Sequence, residues 1–432
     1  MTIPPTTRSA SLYLTALAVG LSGACAILAG CQQASRPTSS NKTLTLGAVV
    51  ALTGNASLIG QDQRIGLELA ENEFGGRTPA LSLRLEDGGS DEQTATTAFR
   101  RLLQQPVVAL IGPSLSQQAF AVNPIADRAG VPVLGASNTA IGIPQIGSFI
   151  SRISAPVSKV APLSIQAAKR LNPKLKRVAV FFAQDDAYST SETKIFQKSI
   201  QGLGLKMVTV QRTSTADIDF QKPIADTLQT RPDLIVISAL PNDGGNLVRQ
   251  LREMGYTGLI AAGNGMNSPN IYSVCQRYCD GLLIAQAYSP EAKTAVNRRF
   301  VQLYQKQLGG TAPPQFTAQA YSAMQVIREA LTRLDRQQSL RSLSRTQASI
   351  AQKLQIQQPK GQALATMPLP ELRLALNKIL LQGTYDTPLG EIRFTPEGEV
   401  IQKDFYVARV KMDAKGKTGR FALLPNPSTA TP

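Results

Sequence analysis

Four hydroxyl side chains stand where a parallel α/β protein can turn them on a small anion. Ser114 and Ser116 fall in Gly112-Pro113-Ser114-Leu115-Ser116, between an apolar run and the helix expected after it. Ser137 and Thr139 occupy the comparable stretch after the next apolar run, Gly135-Ala136-Ser137-Asn138-Thr139. Free backbone amides at a helix start attract carboxylates or phosphates, and hydroxyls add neutral donors. In a parallel sheet both stretches lie on one edge, so together they can hold one ligand. The competing reading is that Ser116 only caps its helix. No Gly-rich run ends in Lys followed by Ser or Thr, so this is not a nucleotide-binding P-loop.

The rest of the composition narrows the chemistry. The chain of 432 residues has no histidine and a formal net charge of +16. Without histidine the commonest metal ligand and the commonest general base are missing, although lysine or carboxylate chemistry stays open. No Gly-x-Ser-x-Gly elbow or metal-ligating cluster is visible, so neither catalysis, a metal nor a cofactor is expected. The positive charge does not gather into a dense Lys/Arg cluster with interleaved aromatics, and tryptophan is absent, which argues against nucleic acid. A basic protein near an anionic membrane surface fits at least as well. Cys275 and Cys279 form a close pair. Without histidine they make a poor metal site; a small disulfide loop is the favoured reading outside the cytoplasm, with free buried thiols as the alternative.

Positioning the hydroxyls takes an alternation of strands and helices. The apolar run 44–50 reads as a buried strand and 51–59 as a polar loop. Ile65 and Leu69 then stand one helical turn apart, with Asp62, Arg64, Glu68 and Glu71 on the wet side. Strands are expected again at 81–85, 107–111 and 131–134, each followed by a loop and an amphipathic helix. Ser90 and Gln93 have capping-box spacing. A second series starts near Arg177, with strands at 178–182, 205–210, 234–237 and 259–262. Its first loop is Gln184-Asp185-Asp186-Ala187-Tyr188, with Ser189 and Glu192 spaced as a cap for the helix that follows. This spacing predicts mostly parallel sheets, and the length suits two cores. Beyond a crossing strand at 282–287 come helices at 292–308 and 316–334, a Gln/Ser/Arg-rich insertion at 335–369, a helical pattern at 372–381, a last strand at 405–410 and a polar tail.

The amino terminus points to export. Arg8 precedes an apolar and small-residue run, 12–29, that reads as a signal peptide rather than a membrane span. It closes on Leu28-Ala29-Gly30-Cys31, which resembles a bacterial lipobox. Residues 1–30 are then a lipoprotein signal peptide, Cys31 the lipidated first residue of the mature chain, and 31–43 a flexible Ser/Pro-rich tether.

From residue 44 to about 411 the chain resembles the type I periplasmic binding proteins, in particular the leucine/isoleucine/valine-binding branch of ABC importers. The matching pieces are LGAVVALTG, Gly60 with the helix up to Phe74, Leu85-Glu86-Asp87, Ala109-Leu110-Ile111-Gly112-Pro113, the Ser137-x-Thr139 loop, the Ala187-Tyr188 loop and GTYDTPLGEIRFTPEGEV. The resemblance implies two Rossmann-like α/β lobes with parallel sheets joined by a three-crossover hinge. Lobe one would be 44–156 with 287–382, and lobe two 157–286 with 383–432. It implies a protein of the periplasm or the outer face of the cytoplasmic membrane, with an ABC permease and its ATPase as partners and no covalent chemistry. It puts Ser116, Ser137 and Thr139 around a ligand carboxylate and makes Tyr188 an aromatic wall and hydroxyl donor. The positions where the family sets an aromatic and an acidic residue around a ligand amine fall on Leu240 and Asn264, which depart from that pattern. An amino acid leads as ligand; an amide, a urea-like compound or an amine-free carboxylate is the alternative, and Asp185, Asp186 or Asp243 could supply a missing charge. A ligand-sensing ectodomain acting on a separate partner and an enzyme built in an α/β cleft are the competing classes.

Overall fold

The computed structural model describes residues 43–341 and 362–425. The signal peptide, Cys31, nearly all of the tether and residues 342–361 of the expected insertion lie outside them. Among the described residues the strands form three sheets. The first contains β1 (Leu44–Val50), β2 (Leu81–Asp87), β3 (Val107–Ile111), β4 (Val133–Gly135) and β5 (Ile150–Arg152), in the order β2-β1-β3-β4-β5. Every pairing in it is parallel. The second holds β6 (Arg177–Ala183), β7 (Lys206–Thr213), β8 (Leu234–Ser238), β9 (Leu259–Ala262) and β10 (Leu283–Gln286), also parallel. A three-stranded antiparallel sheet follows, β11 (Tyr385–Thr387), β12 (Gly390–Phe394) and β13 (Val400–Ile401). Then β14 (Tyr406–Met412) and β15 (Gly419–Leu423) add an antiparallel edge to the second sheet, beside β10. The chain therefore passes from the first sheet to the second after β5, returns after β10 and crosses again after β13.

Helices cover both faces of each sheet, so the central strands are apolar runs rather than alternating ones. All five residues of β3 and of β8 are buried. The helices are α1 (Ser57–Phe74), α2 (Glu92–Leu103), α3 (Ser116–Arg128), α4 (Val157–Leu171), α5 (Ala187–Gly202), α6 (Gln221–Gln229), α7 (Pro241–Glu253), α8 (Ile271–Cys275), α9 (Ala295–Leu308), α10 (Gln315–Arg341), α11 (Gln362–Ala365) and α12 (Leu369–Gln382). The first lobe is held by α1 against α10. A Cβ at Gly66 would sit 2.2 Å from the Thr317 carbonyl oxygen, so only glycine lets the two backbones approach this closely.

Several expectations are corrected by the packing. Residues 385–401 do not join the second lobe: Tyr385, Ile392, Phe394 and Val400 bury their side chains in the same core as Leu46, Phe300 and Leu376. The last crossing thus lies near residue 402 rather than at 383. The polar tail contains a strand, β15, in which Phe421 packs against Tyr272. The helix expected to stop at 334 runs on to Arg341. The cap of α2 is Asp91, which accepts from the Thr94 amide, whereas Ser90 accepts from the Ala56 amide and ties down the loop after β1. The cap of α5 is Asp186, which accepts from the Ser189 amide at 2.9 Å; Ser189 and Glu192 lie inside that helix, fully buried. In each case an aspartate whose own backbone is extended outcompetes the serine beside it.

Candidate functional site

All six residues singled out for ligand contact line one cavity. Ser116, Ser137 and Thr139 come from the first lobe, and Tyr188, Leu240 and Asn264 from the second; Ile59, Leu115 and Phe316 complete the apolar wall. The elements explain the convergence. Ser116 opens α3 after β3, Ser137 and Thr139 follow β4, Tyr188 opens α5 after β6, Leu240 precedes α7 after β8, and Asn264 follows β9. All are at carboxyl ends of parallel strands, where such sheets bind ligands. The lobes are closed on each other, and the cavity measures about 20 Å³, room for about one water. Asn242 donates across the cleft to the Asn55 carbonyl at 2.7 Å, and Asn55 to the Thr215 carbonyl at 3.1 Å.

The first-lobe wall is a set of donors already held in place. Ser114 accepts from the Ala51 amide and donates to Gln63, whose own amide group donates to Ser137 at 2.7 Å. Ser137 in turn donates to the Ser114 carbonyl at 2.6 Å, so its hydroxyl is committed to joining the two loops and only its backbone remains for a ligand. Ser116 does not cap α3. It is the first helical residue, and its oxygen accepts from the Ala140 amide at 3.3 Å, which leaves its proton free to donate. The Thr139 hydroxyl has no hydrogen-bond partner among the described residues. Behind the loop, buried Arg152 donates to the Asn138 and Ala140 carbonyls and forms a double hydrogen bond with Glu399.

The second-lobe wall is organised by buried acids that sequence reading did not place. The Tyr188 hydroxyl donates to Glu192 and accepts from the Gly265 amide, both at 2.6 Å, so it offers the cavity its ring but not its proton. Glu192 also accepts from Ser238 at 2.8 Å and from the Asn264 amide at 3.3 Å. Burial nevertheless pushes its carboxyl up to about 7. Glycine is required beside this network: a Cβ at Gly263 would strike the Glu192 carboxylate, and one at Gly265 the Tyr188 ring. The Asn264 side-chain oxygen accepts from Gln315 at 2.7 Å, so it is taken as well. Asp185 lies apart from the cavity and holds the Ser214–Thr215 turn. Asp186 and Asp243 are buried at the starts of α5 and α7, where Asp243 accepts from the Leu240 amide; burial raises both, most strongly Asp243. The available signal for Glu192 was its place one helical turn beyond Tyr188.

Asp62, expected on the wet side of α1, is buried at 4 % exposure. It accepts from Ser268 at 2.7 Å and from Asn270 at 3.1 Å, both in the second lobe, and burial pushes it up to about 7. Only the closed arrangement of the lobes creates this contact, so the periodicity of α1 could not show it. Cys275 and Cys279 are joined by a disulfide in the core of the second lobe, away from the cavity.

Five helix starts, of α1, α3, α5, α7 and α10, border the cavity, but they are not equivalent. Asp186 and Asp243 stand at the starts of α5 and α7, whereas α1, α3 and α10 have no acid in their first turns. The start of α3, beside Ser116, is thus one of three without an acid, which suits an anionic group.

The sequence profile of the family described as periplasmic binding protein matches residues 43–417, and this chain belongs to that family. It is similar to proteins of the Leu/Ile/Val-binding branch: it is 25 % identical over 332 residues to "Leu/Ile/Val-binding protein homolog 7" of Brucella abortus, covering 71 % of this chain and 81 % of that one. It is 22 % identical over 298 residues to the Leu/Ile/Val-binding protein BraC3 of Rhizobium johnstonii, covering 67 % and 78 %. Among solved structures, a leucine-binding protein of Thermotoga maritima superposes with a TM-score of 0.74 at 23 % identity, covering 89 % of this chain and 99 % of that one. A solute-binding protein of R. palustris in complex with benzoate superposes at 0.72 with 17 % identity, covering 89 % and 98 %. The chain is thus an extracytoplasmic binding protein of a non-catalytic family, with the two-lobed fold of those solved structures.

Proposed function

We propose that this protein captures a small carboxylate lacking an α-ammonium group and presents it to an ABC permease. The observation that carries the reading is the composition of the cavity wall: it holds neutral donors and the uncompensated start of α3, and no acidic side chain. Ser116, with its free proton, and Thr139 bind the carboxylate, with backbone groups of Ser137 alongside. Tyr188, Leu240 and Phe316 enclose the apolar body, and the side-chain NH2 of Asn264 closes the far end. An ammonium placed there would meet no lining carboxylate and would bear an uncompensated desolvation cost. Because the closed lobes leave about 20 Å³, solute enters when they part, and closure follows from contacts with both walls.

The amino-acid reading keeps one observation in its favour: the Glu192 carboxylate lies behind Asn264, bonded to its amide. Calorimetry with matched pairs, leucine against 4-methylpentanoate and alanine against propionate, separates the two. Equal or tighter binding of the amine-free member is expected, and tighter binding of the amino acid overturns the proposal. Ser116→Ala should weaken the bound member by about 1–3 kcal/mol.

The same reading extends to anchoring. Leu28-Ala29-Gly30-Cys31 supports lipidation at Cys31 and attachment to the outer face of the membrane. Intact mass of detergent-extracted protein should give a chain starting at Cys31 with a diacylglyceryl group, and Cys31→Ser should lose it. An unmodified chain starting elsewhere would refute the anchor.

A further inference from the structure

A second, larger cavity of about 470 Å³ lies on the hinge side, apart from the residues that surround Ser116 and Tyr188. That volume is within the range of about 300–1,000 Å³ usual for small-molecule sites. The cavity lining includes the Tyr272–Phe421 pair, with ring centroids 5.5 Å apart, and Pro313 and Pro314 just before α10. The Tyr272 hydroxyl is buried without a partner. Lys417 and Arg420, exposed on the β14–β15 hairpin, stand at the rim and make no ion pair among the described residues. Glu291 is the one acid among the described residues that line the cavity.

We propose that this cavity is a second ligand site, for a compact or planar apolar monocarboxylate. Its body lies between the Tyr272–Phe421 rings and the two prolines, and its carboxylate reaches Lys417 and Arg420. An apolar body suits walls of rings and prolines. Two cations against one acid favour an anion over a cation, and burying the ligand's apolar part strengthens attraction that exposed charges alone would give weakly. The site draws on both lobes, because Gln315 opens α10 of the first while Tyr272 and Phe421 belong to the second. Gln315 also bonds to Asn264, at the edge of the interlobe cavity. Occupancy at the hinge therefore favours the same closed arrangement as occupancy of the cleft, and each ligand tightens the other.

The test uses 4-fluorobenzoate as the probe, followed by fluorine NMR, with the full mature chain. In a Ser116→Trp variant, whose cleft is filled, one equivalent should still bind. Adding Lys417→Glu and Arg420→Glu should weaken that binding at least tenfold, and neutral 4-fluorobenzamide should bind the parent variant at least tenfold more weakly than the acid. Loss of all binding in a folded Ser116→Trp variant, or affinity unchanged by the two charge reversals, overturns the proposal. Where Ser116→Trp does not fold, crystals of the unsubstituted protein soaked in 4-bromobenzoate decide it. Bromine anomalous density between Tyr272 and Pro313 supports the site, and density confined elsewhere refutes it.

Discussion

Tyr188 and Glu192 stand one turn apart on α5, and the phenolic proton of the first is donated to the carboxylate of the second at 2.6 Å. The same carboxylate takes Ser238 and the Asn264 amide, so one acid fixes residues from the ends of β6, β8 and β9. The aromatic wall of the cavity is rigid because its hydroxyl is satisfied from behind.

Glu192→Leu should therefore harm stability and binding together. It leaves the Tyr188 hydroxyl and the Asn264 backbone amide without their acceptor, each a buried group whose loss of partner costs about 1–3 kcal/mol, while Ser238 keeps the Ser189 carbonyl at 3.1 Å. A drop of about 3 kcal/mol in urea unfolding and a weaker cleft ligand are expected. Tyr188→Phe should cost less, since only its own bonds are lost. Equal stability of Glu192→Leu and the parent would show that the network is not organising the wall.

Arg152→Met should loosen the opposite wall. The guanidinium is almost wholly buried, paired with Glu399 and bonded to the carbonyls of Asn138 and Ala140. Removing one member of a buried pair costs about 3–5 kcal/mol. Restoration by a second change, Glu399→Leu, is the signature to look for: the double variant should melt above Arg152→Met alone, because the stranded carboxylate is gone.

Stability should fall as pH rises from about 4 to about 7. Burial holds the carboxyls of Asp62 and Glu192 at about 7 in the folded protein, against about 4 in an unfolded chain. Between those values the folded state retains protons that the unfolded state has released, so raising the pH favours unfolding, and the effect levels off above about 7. Urea midpoints at pH 5 and pH 7.5 measure it, with the higher midpoint at pH 5. Asp62→Asn and Glu192→Gln should each flatten the slope. For Asp62 the effect should also appear in cleft closure, because its partners Ser268 and Asn270 belong to the other lobe.

Reducing the Cys275–Cys279 bond should cost about 2 kcal/mol, the chain-entropy value for so short a loop. Ligand affinity should hold, since the bond lies in the second-lobe core and not on the cavity wall. Melting with and without reductant, alongside calorimetry on the reduced form, tests both halves; a large loss of affinity would show that α8 supports the site.

The sequence by itself determined the alternation of strands and helices, the parallel sheets and the loops that meet between the lobes. These follow from local periodicity and from the rule that parallel strands present their carboxyl ends together. Ser116, Ser137 and Thr139 could be picked out because each stands just beyond an apolar run, whereas Tyr188, Leu240 and Asn264 were implied by the family resemblance. Only the tertiary structure decided what each group is free to do. Glu192, Asp62, Gln63 and Arg152 look like ordinary polar residues along the chain, and their roles arise from partners as far away as Glu399. The same holds for residues 385–401, whose alternation marks strands but not the core they join. Burial and hydrogen-bond occupancy are properties of assembled surfaces, so the free proton of Ser116 and the committed hydroxyl of Tyr188 appear only once each lobe has folded, and the contacts of Asp62 with Ser268 and Asn270 only once the lobes have closed.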